Sequence, residues 1–222
     1  MDQPAGRLTA VSHLFVTQDF APDLGGMARR HVELARRFPG MVVSTVGRDD
    51  AAQVDAGQPW RVVRQPFPFA GAKTFVNQLR WARWLRRECA AGDVRLLHCG
   101  NLRPCGHPVW WASRRTGVPY LVYVNGLDLL RERAKTRGNL TKRLVTRAVF
   151  EDARGIVATS DFTGELTEEV MRDVGVRRAP PVARIHLGTD PTWFHPGRDT
   201  RALRARLGLG DAPLLVTIAR LV

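Results

Sequence analysis

Cysteine is scarce in this chain, with three in 222 residues. Cys89, Cys99 and Cys105 are odd in number and follow no paired spacing, which excludes a disulfide framework. Two histidines, His98 and His107, lie close by. Their spacing is not one that a zinc site uses, so these residues are read as ordinary strand and loop positions. No apolar run approaches the ~20 residues needed to span a bilayer. The N-terminal MDQPAGRLTAVSH has no apolar core of a signal peptide, so the cytoplasm is the expected compartment. Internal repeats, low-complexity tracts, a Gly-x-Gly-x-x-Gly fingerprint and a P-loop are all missing. No helix-turn-helix, zinc-finger or RNA-binding signature is present, and nucleic acid is not an expected partner.

Acidic residues are few as well: 21 Asp and Glu stand against 34 Lys and Arg, a net charge of +13. Two readings of this excess stay open. One is a polyanionic partner, such as a phosphorylated substrate or an anionic lipid surface. The other is arginine-rich coding bias, since the arginines are dispersed through every segment.

What is present is a core-forming pattern, with 44% hydrophobic residues. Short apolar runs alternate with helical stretches. The strands are expected at His13–Thr17, Met41–Val46, Trp60–Arg64, Leu96–Cys99, Tyr120–Val124, Ile156–Thr159, Ala183–Leu187 and Leu214–Ile218. Helices are expected at Met27–Phe38, Lys73–Ala91, Pro108–Thr116, Leu140–Asp152 and Thr163–Val174. The strands are continuous apolar runs, as parallel strands covered on both faces require. The fold class is therefore α/β, a Rossmann-like doubly wound parallel sheet. Pro191–Asp211, rich in Pro and Gly with a short helix at Thr200–Leu207, reads as an interdomain connection. Residues 1–197 form the expected first domain. Residues 198–222 are expected to hold the connection and the first strand of a second domain that is otherwise missing.

Ligands of such sheets bind beyond the carboxyl ends of the strands. After the first strand come Asp19 and then Gly25-Gly26 at a helix N-terminus. That loop is either a phosphate cradle or a plain turn. After the fifth strand comes Asn125-Gly126-Leu127-Asp128. Asn125 and Asp128 either hydrogen-bond a sugar or serve as turn and helix cap. Ser160 or Asp161 follows the sixth strand, where capping is the simpler role. His186-Leu187-Gly188-Thr189-Asp190 is a further polar turn, with Gly188 and Asp190 lining the crevice. Residues 73–91 place Trp81 and Trp84 among Arg80, Arg83, Arg86 and Arg87. This helix either meets an anionic membrane surface or packs on the sheet through Phe75, Val76 and Leu79.

Five segments, in order, resemble the retaining, nucleotide-sugar-dependent glycosyltransferases of the two-domain GT-B fold: DFAPDLGGMARRHVELARRF, VNGLDLL, EDARGIVATSDFTGEL, RIHLGTDPTWFHPG and LLVTIARLV. The resemblance covers nearly the whole chain. It implies an acceptor-side domain, cut short at the start of the donor-binding domain and inactive alone. Gly25-Gly26 would approach the donor diphosphate and the acceptor. Asn125 to Asp128 would lie near the transferred sugar, and Arg220 would pair with the diphosphate through bidentate contacts. The partners implied are a nucleotide sugar and an acceptor hydroxyl, with envelope polysaccharide, glycolipid or small-glycoside synthesis as the setting. Neither a cofactor nor a metal is implied. The family often has His where this chain has Asn125, and Asn cannot transfer a proton. A nucleotide-sugar epimerase of the same architecture and a non-catalytic basic α/β module are the alternatives.

Overall fold

A computed structural model describes residues 13–38, 40–66, 74–92, 94–197, 199–210 and 213–217. The chain divides into two units, residues 1–186 and 187–222.

The first unit carries seven strands: β1 (His13–Val16), β2 (Met41–Val46), β3 (Val62–Gln65), β4 (Leu96–Cys99), β5 (Tyr120–Val124), β6 (Gly155–Ala158) and β7 (Val182–Arg184). All pairings are parallel. The order across the sheet is β3-β2-β1-β4-β5-β6-β7. The direction of winding reverses between β1 and β4, so a crevice opens at their carboxyl ends. The connecting helices are α1 (Gly26–Arg37), α2 (Ala52–Ala56), α3 (Thr74–Ala91), α4 (Gly106–Thr116), α5 (Leu127–Arg137), α6 (Leu140–Glu151) and α7 (Asp161–Val174).

The period-two alternation of strand side chains sends alternate residues into two apolar layers. Leu14, Val16, Leu97, Cys99, Tyr120 and Val122 face one layer, which Trp81 and Leu85 of α3, Val109 of α4, Phe150 of α6 and Val170 of α7 complete. Phe15, Met41, Val43 and Tyr123 face the other, with Val32 and Ala35 of α1. Trp81 is fully buried, and its indole N–H donates to Ser44 Oγ at 2.9 Å. Trp81→Phe is expected to cost about 1–2 kcal/mol by removing one of the two donors to Ser44 Oγ, Gln65 Nε2 keeping the other at 3.1 Å, and by leaving the site underfilled. A urea melt reads this as a lower midpoint at unchanged slope.

The α/β class and the parallel sheet are as the sequence predicts. Most elements begin and end within two residues of expectation. Several details differ. Phe75 and Val76 do not face the core but are 64% and 48% exposed. The inward face of α3 is instead Gln78, Trp81, Ala82, Leu85 and Cys89. Trp81 is therefore committed to the core, while Arg80, Arg83, Arg86 and Arg87 are exposed. The predicted strand Ala183–Leu187 shortens to β7, because its neighbour β6 ends at Ala158. Beyond it only the Ile185 N–H reaches the Ala158 carbonyl, at 2.8 Å. α2 and α5 are additional helices, and α5 begins inside the segment read as a turn. Lys73 lies outside the described residues.

The second unit holds one helix among its described residues, α8 (Arg201–Arg206). The expected strand from Leu214 does not form over 214–217. A strand needs a neighbour for its backbone N–H and C=O groups, and the described residues of this unit supply none. Ile218 and Arg220 lie outside the described residues. No described helix is long and apolar enough to cross a membrane.

Candidate active site at the sheet switch point

The crevice edge is built first from the turn after β4. Gly100 donates its N–H to Val16 O at 2.8 Å. A Cβ at this position would lie 2.9 Å from the Phe15 ring and 3.0 Å from Thr17 Cβ. Only glycine lets β4 end this close to β1. The next residue, Asn101, is 2% exposed and stitches the two loops together. Its Oδ1 accepts from Thr17 Oγ1 at 2.7 Å and from the Gln18 N–H at 3.1 Å. Its Nδ2 donates to Asp19 Oδ2 at 2.7 Å.

His31, from the second turn of α1, closes the network from the other side. Its Nδ1 lies 2.8 Å from the Asp19 carbonyl and 2.9 Å from Thr17 Oγ1. A carbonyl only accepts, so Nδ1 carries the proton. Burial pushes the His31 pKa down to about 4, against the opposing pull of the Asp19 and Gly100 carbonyls. Asp19 moves the other way. Burial raises its carboxyl above the ordinary range, the Asn101 hydrogen bond lowers it in part, and Asp23 raises it slightly.

The neighbouring residue Arg30 reaches across the crevice. Its Nη1 donates to Asn125 Oδ1 at 2.6 Å, and its guanidinium sits 5.5 Å over the Tyr123 ring. Asn125 follows the last residue of β5, and Gly126 comes next at φ +93°, a conformation that favours glycine. The chain then enters α5, with Gly126 as its N-terminal flank. Asp128 is in the first helical turn rather than at the cap. Its Oδ1 accepts the N–H groups of Asn125 at 3.0 Å and Leu129 at 3.1 Å. Burial raises the Asp128 pKa, opposed by those N–H groups and that of Leu102. Two atoms here are buried without a hydrogen-bond partner: Asn125 Nδ2 and Asp128 Oδ2.

The sheet thus brings Asp19, Asn125 and Asp128 to one edge, linked through α1. Gly25 flanks the start of α1 and Gly26 opens it. Both are exposed, and a Cβ on Gly26 would meet nothing within 4 Å. Ser160 caps α7, accepting the Thr163 N–H at 3.1 Å. The Thr163 hydroxyl lies 3.8 Å from where a Gly126 Cβ would stand, so Ser160 borders the same edge. Gly188 and Asp190 belong to the second unit. There Asp190 Oδ1 holds the Thr192 N–H at 2.9 Å and its hydroxyl at 2.6 Å. Asn101, Arg30 and His31 are the residues that sequence reasoning missed. Asn101 follows the turn glycine of a buried strand, the signal that drew attention to Asn125.

The cluster His98, Cys99, Cys105 and His107 is not drawn together. His98 faces the α1 layer, where its Nε2 lies 2.9 Å from His13 Nδ1 and its Nδ1 3.0 Å from Tyr123 Oη. Cys99 and Cys105 lie in the other layer. Among the described residues no group of three or more His, Cys, Asp or Glu is placed to hold a metal.

Comparisons bear on what this edge belongs to. Two solved structures of Anabaena HepE share the fold. One, in complex with UDP and glucose, has a TM-score of 0.58 at 15% identity, covering 89% of this chain and 50% of that one. The other, with UDP, has a TM-score of 0.60 at 14% identity and the same coverage. This chain therefore spans about half the length of the solved structures it matches. No curated protein sequence matches it. Residues 24–193, more than half of the chain and including Gly25, Asn125 and Asp128, match the model of a known sequence family, and on that match the chain belongs to Glycosyltransferase Family 4.

Proposed function

We propose that this chain is the acceptor-side portion of a glycosyltransferase that takes a sugar from a nucleotide-diphosphate sugar to an acceptor hydroxyl, with retention. The observation that carries this reading is the pairing of family membership with a crevice edge holding a buried unpartnered donor and acceptor, Asn125 Nδ2 and Asp128 Oδ2. Such a pair suits a hydroxylated ligand. HepE was solved with UDP and glucose, which makes a UDP-sugar the first donor to try.

In this reading the residues position rather than attack. Asn125 cannot relay a proton, and Asp128 holds its own turn through Oδ1. Catalysis then rests on orientation and on stabilising the leaving diphosphate, which takes the proton of the incoming hydroxyl on the same face. Gly25 and Gly26 leave backbone open at the N-terminus of α1, where an anion is favoured. Arg220 is proposed to meet the diphosphate, and Ser160 to line the crevice.

The test is a mass-spectrometric screen of nucleotide sugars with the chain alone and with the protein extended through its reading frame. Release of nucleoside diphosphate with a new α-linked product from an α-linked donor supports retention. A free sugar of altered configuration would indicate the epimerase instead, and no turnover by either folded protein would sink the reading. Asp128→Asn is expected to lower kcat/KM about 100-fold in the active form while leaving the protein folded. A fall of less than threefold would remove Asp128 from the site.

A further inference from the structure

Arg30 and Asn125 lie 95 positions apart in the chain and meet side chain to side chain. We propose that Arg30 is a positioning residue: it fixes the orientation of the Asn125 amide so that the NH2 group, not the carbonyl, is presented to a ligand oxygen. This inference rests on the glycosyl-transfer reading for the nature of that ligand.

The argument begins with what a guanidinium can do. It donates five N–H groups and accepts nothing. The Asn125 atom 2.6 Å from Arg30 Nη1 must therefore be the carbonyl oxygen, because the flipped amide would set donor against donor. Nδ2 is left on the other side, buried and without a partner. An isolated Asn beside a crevice presents either end to a ligand. This one is restricted to donating.

Arg30 is itself restrained. Its guanidinium lies over the Tyr123 ring, whose hydroxyl is held by His98 at 3.0 Å. Arg30 is half-buried, and burial lowers its pKa while Tyr123 and Asp128 oppose that change. The other end of the turn is fixed too, since Asp128 Oδ1 takes the Asn125 backbone N–H. The same turn thus holds one directed donor, Asn125 Nδ2, and one acceptor, Asp128 Oδ2, each buried and without a hydrogen-bond partner. A ligand hydroxyl is able to accept from the first, and a hydroxyl is equally able to donate to the second. A phosphate or carboxylate satisfies the donor but sets its charge against Asp128. A ligand amine satisfies Asp128 but meets the amide donor to donor. A hydroxyl is thus the ligand group that neither atom opposes.

The experiment compares Arg30→Met, Arg30→Lys and Asn125→Asp. The Asn125 side-chain amide is followed by 15N–1H NMR in the ligand-free chain, assigned by its loss in Asn125→Asp. Binding of UDP-glucose is read by calorimetry in the protein extended through its reading frame. Arg30→Met is expected to move and broaden the amide resonance, and Arg30→Lys to restore it. UDP-glucose affinity is expected to fall about 10-fold in Arg30→Met and in Asn125→Asp. The double variant is expected to be no weaker than the worse single one, as for two residues acting through one group. An amide unchanged in Arg30→Met, or losses that add in the double variant, overturns the proposal. A wild-type protein that binds none of the nucleotide sugars in the screen, with an amide that still answers to Arg30, defeats the glycosyl-transfer reading and leaves the positioning role upheld. Should Arg30→Met fail to fold, the Arg30→Lys and Asn125→Asp pair decides by the same two readouts.

Discussion

Asn101→Leu is expected to destabilise the first unit by roughly 3–4 kcal/mol, the largest effect of any single substitution at the crevice. The change is close in volume, so packing does not account for it. What is lost is the partner of three groups at once: the Thr17 hydroxyl, the Gln18 N–H and the Asp19 carboxylate. Thr17 is fully buried, and its hydroxyl has only the Asp19 carbonyl at 3.2 Å as an alternative acceptor. Asp19 fares worst. Burial already raises its pKa, and Asn101 is the main influence that lowers it again. Without Asn101 the folded-state pKa climbs further, the native state holds a proton that the unfolded chain releases, and stability falls as pH rises. The loss should therefore be larger at pH 7 than at pH 4. Urea melts at the two pH values check this, and an equal loss at both would show that Asp19 is not the group left stranded.

The second large effect is acid lability between pH 6.5 and 4. His31 and His98 each have a pKa lowered from 6.5 to about 4. Burial is the first cause for both; His98 also feels His13. Both are almost completely buried. The sign follows from proton counts. Between the two values the unfolded chain binds protons that the native state refuses, so stability rises with pH across this window and is lost on acidification. A shift of this size corresponds to roughly 3 kcal/mol per residue, and the pair together approaches the total stability of an ordinary domain. Unfolding followed by circular dichroism should move steeply as pH falls from 6.5 to 4. His98→Gln is expected to flatten part of that slope. A stability independent of pH over this window would mean that both imidazoles find new partners when protonated.

The sheet was legible because its strands are apolar on both faces, and a run such as Tyr120–Val124 admits no other burial. The edge was legible wherever a strand ran into Asn, Asp or Gly, as at Asn125 and Asp19. Two classes of feature were hidden. Helix α5 buries Leu129, Glu132 and Thr136 on one side, and its exposed residues include Leu127 and Leu130. Glu132 can occupy the inside because Arg103 and Thr146 hydrogen-bond its carboxylate. A core face centred on a paired carboxylate has no apolar period to read. The other hidden class is contact across the crevice. Arg30 and His31 look like ordinary members of an amphipathic helix, MARRHVELARR. Only the sheet order shows that they lie opposite Asn125 and beside Asn101. In α3 the period was visible but its phase was not, since Phe75 and Trp81 compete for the inward face and the bulkier ring won.

The pairing of β1 with β4 also sets the order in which this chain can assemble. β1 with β2 and β3 can form early, because they are joined by short connections. β4 with β5, β6 and β7 can do the same. The seam between the halves brings residues together across long stretches of chain; His13 and His98 are 85 positions apart. Contacts of such range bear more loop-closure entropy than those within either half, which slows their formation. Thr17, Asp19 and His31 stand on one side of that seam, Asn101 and Asn125 on the other. On a ribosome, the first half waits with the open edge of β1 exposed until β4 is made. The crevice therefore exists only once the two halves dock, and any substitution that slows their docking delays the whole site at once.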